Sequence, residues 1–121
     1  MSQNLPQNVK LGEDHIWCQL FETGKRFLEK RPALFLDRDG VIIEEVHYIR
    51  KPEDVSLIAG AASLIKKAND HEIPVVIVTN QSGLARNMFN WGDFAAVQAR
   101  LLDLLHQENK AFVDAVYACP F

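Results

Sequence analysis

The chain has 121 residues, 48% of them hydrophobic and 24% charged, which suits one small globular domain and excludes wholesale disorder. A formal net charge of -3 argues against nucleic acid as the main partner, yet leaves room for the local positive field of a phosphate site. The longest apolar run, Ile73 to Val78, is far too short to span a bilayer, so no membrane association is expected.

Residues 1–31 read as an N-terminal extension. Met1 to Leu11 is polar with no signal-like apolar stretch, and Ser2 to Asn8 is expected to be flexible. Ile16 to Phe21 is bulky and strand-prone, Thr23-Gly24 is a turn signal, and Arg26 to Leu28 can return as a second strand. That pattern predicts a short β-hairpin. An irregular arm packed by Trp17, Phe21 and Phe27 is the equal alternative.

Pro32 marks the boundary, and residues 32–121 form the main domain. Ala33 to Leu36 is a continuous apolar run, expected as a strand buried on both faces of a parallel sheet. Residues 41–57, with Pro52, read as a loop or flap. Gly60 to Asp70 places Ala61, Leu64, Ile65 and Ala68 at helical spacing. Ile73 to Val78 is the second strand, with Pro74 tolerable near its start. Asn90 and Asp93 make a capping box, opening a helix with Phe94, Val97, Leu101, Leu104 and Leu105 on one face. Phe112 to Tyr117 is a third strand. Alternating strands and helices predict an α/β, Rossmann-like parallel sheet with right-handed helical crossovers.

Ligands in such sheets bind beyond the carboxyl ends of the strands. Both unusual polar clusters fall there: Asp37-Arg38-Asp39-Gly40 after the first strand, and Thr79-Asn80-Gln81-Ser82-Gly83 after the second. Extended residues two apart lie roughly 7 Å apart and point the same way, so Asp37 and Asp39 can flank one phosphoryl group while Arg38 points elsewhere. Two neighbouring carboxylates should separate in pKa, one attacking and one delivering a proton. Mg²⁺ would relieve their repulsion from phosphate. Gly40 permits a tight turn. Taken alone, such an aspartate pair could merely cap a turn, and Thr79, Asn80 and Ser82 a loop. Two clusters at equivalent strand ends weigh against that.

Phe35 to Ile42 together with Val78 to Arg86 resembles the haloacid-dehalogenase superfamily, in the branch of heptose bisphosphate and histidinol-phosphate phosphatases. The resemblance runs from about Ala33 to Pro120. It implies that Asp37 is the nucleophile, Asp39 the general acid and then base, and Thr79 a donor to a phosphoryl oxygen. Mg²⁺ would be held at Asp37 and Asp39. Arg38, Gly40, Glu45, Tyr48, Asn80, Gln81, Ser82 and Arg86 are the implied substrate contacts, Glu45 to Tyr48 belonging to a flap over a sugar phosphate. Ser82 to Arg86 favours heptose 1,7-bisphosphate over histidinol phosphate, although Glu44-Glu45 departs from the heptose pattern. Arg86 is either a partner for the second phosphate or a surface arginine. His15, His71 and His106 have no partner pattern and are expected at the surface.

Cys119-Pro120 resembles the start of the family's zinc loop, but one cysteine cannot close a four-ligand site. Zn²⁺ is therefore expected only in a complete chain. Cys18 and Cys119 lie at opposite ends of the sequence and read as free thiols of a reducing, cytoplasmic setting, a disulfide being the lesser alternative. The family's lysine and late acidic motif have no counterpart here, so the chain reads as truncated, its sheet incomplete and its edge apolar. Two functions follow as expectations: a Mg²⁺-dependent sugar phosphatase, or a non-catalytic phosphate-binding remnant.

Overall fold

The computed structural model describes residues 5–121, so part of the expected flexible stretch from Ser2 to Asn8 lies outside the described residues. Five strands form one mixed sheet: β1 (Val9–Leu11), β2 (Trp17–Leu20), β3 (Leu34–Leu36), β4 (Val75–Asn80) and β5 (Ala115–Cys119). Their spatial order is β1-β2-β5-β4-β3. The expected parallel core is there, with β3 paired to β4 and β4 to β5. The sheet is not parallel throughout, because β1 and β2 are antiparallel.

The N-terminal hairpin keeps the expected strand within Ile16 to Phe21 but pairs it with a strand before it, not with Arg26 to Leu28. β2 pairs with β1 through a turn at residues 12–16, where the Asp14 carboxylate accepts the Ile16 N–H at 3.0 Å. Glu22–Arg26 is a short 3₁₀ segment instead of a turn and second strand. Two facts hold β2 in the sheet. It adds to the free edge of β5, and it carries Trp17, which is 0% exposed. The indole stacks on Trp91 at 5.2 Å and meets the edge of Phe94 at 4.9 Å. The residues before Pro32 thus share one sheet and one core with those after it.

Two helices complete the fold, α1 (Ala61–Asp70) and α2 (Trp91–Asn109). The start of α2 is fixed by the capping box: Asn90 Oδ1 accepts from the Asp93 N–H at 2.8 Å, and the Asp93 carboxylate accepts from the Asn90 N–H at 3.0 Å. The predicted apolar stripe packs inward at Phe94, Val97, Leu101 and Leu105. On α1, Ala61, Ile65 and Ala68 are buried, but Leu64 is exposed, at the margin of the stripe.

The crossovers β3-α1-β4 and β4-α2-β5 step the same way across the sheet, so right-handed connections put both helices on one face. That face, with Val75, Ile77, Val116, Ala118 and Trp17, is buried. The expectation that Ala33 to Leu36 is covered on both faces therefore fails. Phe35, Val78 and Tyr117 point to the other face and are exposed. Among the described residues, no helix is long and apolar enough to cross a membrane.

Replacing Trp17 by alanine should cost about 3–5 kcal/mol, as for large aromatic side chains removed from packed cores. Urea unfolding followed by circular dichroism checks this; a loss below about 1 kcal/mol would show that the N-terminal strands are dispensable.

Candidate active site

The loop after β3 is wound tightly. The Arg38 carbonyl accepts from three successive N–H groups, those of Val41, Ile42 and Ile43, at 2.9–3.3 Å. Gly40 has φ +81°, a left-handed conformation that favours glycine, and its N–H donates to the Ile43 carbonyl at 2.8 Å. The winding turns the side chains of Asp37, Arg38 and Asp39 to different surroundings.

Arg38 goes inward. It is 1% exposed, which removes it from the substrate contacts expected of it. Nε and Nη2 lie 3.2 Å from the Asp39 carboxylate oxygens, Nη1 donates to Gln98 Oε1 on α2 at 3.0 Å, and the guanidinium sits 5.2 Å from the Phe94 ring centroid. Burial lowers the Arg38 pKa from its ordinary value, against the pull of Asp39, which bonds it, and of Asp37. A guanidinium starts so high that it stays charged at neutral pH.

Asp39 is held from both sides. Besides Arg38, it accepts from Gln81 Nε2 at 2.8 Å, and the same nitrogen lies 2.9 Å from Thr79 Oγ1. Thr79 is buried at the end of β4, and the Gln81 N–H donates to the Cys119 carbonyl at 2.7 Å, continuing the β4–β5 ladder. The two polar clusters therefore meet through one glutamine. Asp37 is exposed, with one carboxylate oxygen accepting the Arg38 N–H at 2.8 Å.

A cavity of about 140 Å³ opens over this junction. Asp39 lines it from the β3 loop, Glu45–Ile49 from the flap, and Asn80–Gly83 with Phe89 from the β4 loop. Ser82 is half-buried there and Asn80 exposed. Glu45 lies beside Gly40, its Oε2 3.8 Å from where a Cβ would stand. Arg86 stands outside the cavity and donates to the Tyr48 hydroxyl at 3.0 Å, tying the β4 loop to the flap. Gly83 has no room for a side chain: a Cβ there would fall 2.3 Å from Phe89 and 3.0 Å from Tyr48.

The structure thus brings Asp39, Thr79, Gln81, Glu45, Tyr48, Asn80 and Ser82 to one place. Cys119 is a half-buried free thiol, as is Cys18, and no cluster of three or more His, Cys, Asp or Glu suited to a metal occurs among the described residues. All four histidines are exposed. Gln98 was missed from the sequence. Its signal was there: four residues after Phe94, it falls on the apolar stripe of α2, where a buried polar residue needs a partner.

No family model matches the chain. A D-glycero-β-D-manno-heptose-1,7-bisphosphate 7-phosphatase of Mesorhizobium japonicum is 45% identical over 92% of this chain and 50% of its own length. A D-glycero-D-manno-heptose-1,7-bisphosphate 7-phosphatase of Thermosynechococcus vestitus is 44% identical over 74% of this chain and 46% of its own. Among solved structures, one described as a HAD-like phosphatase of Mesorhizobium loti superposes with a TM-score of 0.80 at 42% identity, over 92% of this chain and 52% of that one. The D,D-heptose 1,7-bisphosphate phosphatase of B. bronchiseptica, complexed with magnesium and phosphate, gives 0.69 at 31% identity, over 74% and 50%. The chain spans about half the length of the curated relatives it matches.

The two aspartates should behave differently in stability measurements. Asp39→Ala leaves a buried guanidinium facing only Gln98, and should cost about 3 kcal/mol, near the range for a broken buried pair. Asp37→Ala removes an exposed side chain and should change stability by no more than about 0.5–1 kcal/mol. Equal losses in thermal and urea unfolding would show that Arg38 does not depend on Asp39.

Proposed function

We propose, from the premise that the chain belongs to the haloacid-dehalogenase-like phosphatases, that it carries the attacking and proton-transferring groups of a Mg²⁺-dependent phosphomonoester hydrolase. The substrate is a phosphomonoester, first a sugar bisphosphate such as D-glycero-D-manno-heptose 1,7-bisphosphate, with histidinol phosphate, an amino-alcohol phosphate, as the alternative. The observation that carries this is the junction of Asp39, Gln81 and Thr79, with Asp37 free at the adjoining strand end.

In the first step an Asp37 carboxylate oxygen attacks phosphorus and the ester P–O bond breaks. The leaving sugar oxygen takes its proton from the Asp39 carboxyl. Arg38, at 3.2 Å, stabilises the carboxylate that remains. In the second step water gives a proton back to Asp39 and attacks the aspartyl-phosphate. The bond from phosphorus to Asp37 breaks, inorganic phosphate leaves, and both aspartates return to their starting states.

Gln81 has two effects here. It fixes the Asp39 carboxylate, and by donating to Thr79 Oγ1 it leaves the hydroxyl proton free for a phosphoryl oxygen. The flap, tied down through Tyr48 and Arg86, would exclude water from the sugar phosphate, with Glu45, Asn80 and Ser82 facing the same cavity. In this reading Arg86 acts through the flap or through a second phosphate.

The residues present fit Mg²⁺. Asp37 offers an exposed hard-oxygen donor with one oxygen free of protein bonds, and Mg²⁺ is held by one or two carboxylates, phosphate oxygens and water. Asp37 and the Asp39 main-chain carbonyl would hold it. Once bound, the ion would neutralise charge on the phosphoryl group. Among the described residues, no comparable set fits Zn²⁺ around Cys119. The free thiols of Cys18 and Cys119 support a reducing, cytoplasmic setting.

Phosphate binding without turnover is the second reading, favoured because Asp37, Asp39 and Glu45 are not gathered into a group of three suited to a metal among the described residues. Release of phosphate from both substrates, with and without Mg²⁺, decides between them. Turnover should require Mg²⁺ and fall roughly 10³-fold or more in Asp37→Asn, as when a covalent nucleophile is removed. Phosphate binding with no Mg²⁺-dependent release would sink the hydrolase and leave the binding protein.

A further inference from the structure

We propose that Gln98, on α2, is a positioning residue for the Asp39 carboxylate and acts on it through Arg38. Its chemical consequence rests on the proposed role of Asp39 as proton carrier; the geometry stands without that role. Arg38 and Asp39 are neighbours in the chain, and Nε and Nη2 of the one lie 3.2 Å from the carboxylate oxygens of the other. Two parallel bonds lock a guanidinium to a carboxylate, but they leave the pair free to swing as one unit. Only a contact from another element stops that motion.

Gln98 Oε1 supplies it, accepting from Arg38 Nη1 at 3.0 Å. Every nitrogen of the rigid guanidinium fork is then engaged, and its plane is set. Behind it α2 is itself held, by the capping box at Asn90 and by Phe94. The Phe94 ring lies 5.2 Å from the guanidinium and meets Trp17 edge-on at 4.9 Å. One line of contacts therefore runs from Gln98 through Arg38, Asp39 and Gln81 to Thr79, in steps of 3.0, 3.2, 2.8 and 2.9 Å. It joins α2 to the end of β4, with the carboxylate in the middle.

The other half of the same amide separates positioning from packing. Gln98 is 2% exposed, and its Nε2 has no hydrogen-bond partner among the described residues. A buried donor without an acceptor lowers stability, so a residue that only filled this place on the apolar stripe of α2 would be apolar. The amide is accounted for by its oxygen, which cannot exchange places with the nitrogen because a guanidinium offers donors alone. Under the proposed mechanism Asp39 must meet first the leaving oxygen and then water. A carboxylate displaced by about 1 Å loses up to roughly 10²-fold in rate.

Two substitutions test this: Gln98→Met keeps the length and removes both polar atoms, whereas Gln98→Glu keeps the accepting oxygen. The reporter is the side-chain amide of Gln81 in the ¹⁵N-labelled chain, which bonds Asp39 and Thr79 and not Gln98. In Gln98→Met the Gln81 amide protons should exchange with water about tenfold faster, and in Gln98→Glu they should stay within about threefold of the unaltered chain. A space-filling role reverses that order, since methionine fills the place without burying a charge. With Mg²⁺ and heptose 1,7-bisphosphate, kcat should fall about tenfold in Gln98→Met while KM stays within about twofold, and Gln98→Glu should restore most of the loss. No turnover in the unaltered chain removes the hydrolase and leaves the positioning role, which amide exchange reads without substrate. Gln81 protection unchanged in Gln98→Met, or lost in a folded Gln98→Glu, overturns the proposal. So does an unchanged kcat in Gln98→Met when the unaltered chain turns over. If neither variant folds, the unaltered chain decides: separate, slowly exchanging Nη protons of Arg38 uphold the anchored fork, and one averaged signal overturns it.

Discussion

A guanidinium taken out of water stays buried only where acceptors surround it, and Arg38 meets that condition with one carboxylate and one amide oxygen. The carboxylate belongs to the next residue in the chain, the amide to a helix sixty positions on. That single constraint therefore fixes three things together: the winding of the loop after β3, the rotation of α2 that brings Gln98 inward, and the direction of the Asp39 carboxylate. Because Arg38 takes one side of Asp39, the other side is left for Gln81, and through it for Thr79. The candidate site is thus built on an ion pair whose cation is buried away from the cavity while its carboxylate lines it.

The sheet is asymmetric for a related reason. One side is extended, since β2 lies along β5 and β1 along β2, and Trp17 fills the space beside Trp91 and Phe94. A buried aspartate, Asp114, fastens the same region: its carboxylate accepts the Val75 N–H at 2.8 Å and an Arg26 N–H at 3.1 Å. The other edge is β3, short and open. Two crossovers of the same hand, both stepping away from β3, put all helical cover on one face and all chemistry at one end. The asymmetry that places Asp37 beside Thr79 is also what leaves Phe35 and Val78 uncovered.

What could be read from the sequence was whatever local chemistry decides. The capping box of Asn90 and Asp93 needs only residues three apart, and the two polar clusters follow apolar runs that can hardly be anything but strands. Long-range pairing was another matter. Nothing near Trp17 announces that it will lie opposite Ala118, so the second strand of the hairpin was sought after β2 when it lies before it. An apolar run shows that a strand prefers to be buried but not whether both faces find cover; Phe35 and Val78 follow the pattern and are exposed all the same. Arg38 failed for a different reason. A charged residue between two acidic ones looks solvent-facing or substrate-facing until its acceptor on α2 is known.

The contrast between the two aspartates gives the arrangement its physical sense. Under the proposed roles, a nucleophile must reach phosphorus, so its carboxylate cannot be tied up; Asp37 keeps one main-chain tether and stays exposed. A proton carrier must hold its position through two steps in which its charge changes, so it needs partners that tolerate both states. Gln81 is neutral and can remain bonded to either form, whereas Arg38 strengthens its hold once the proton has gone. Under the proposed mechanism, rigidity is thus concentrated on the residue whose protonation changes twice per cycle, and freedom is left to the one that would form the bond. The same division predicts that the cost of altering Asp39 falls on the fold as well as on the chemistry, while altering Asp37 leaves the fold intact.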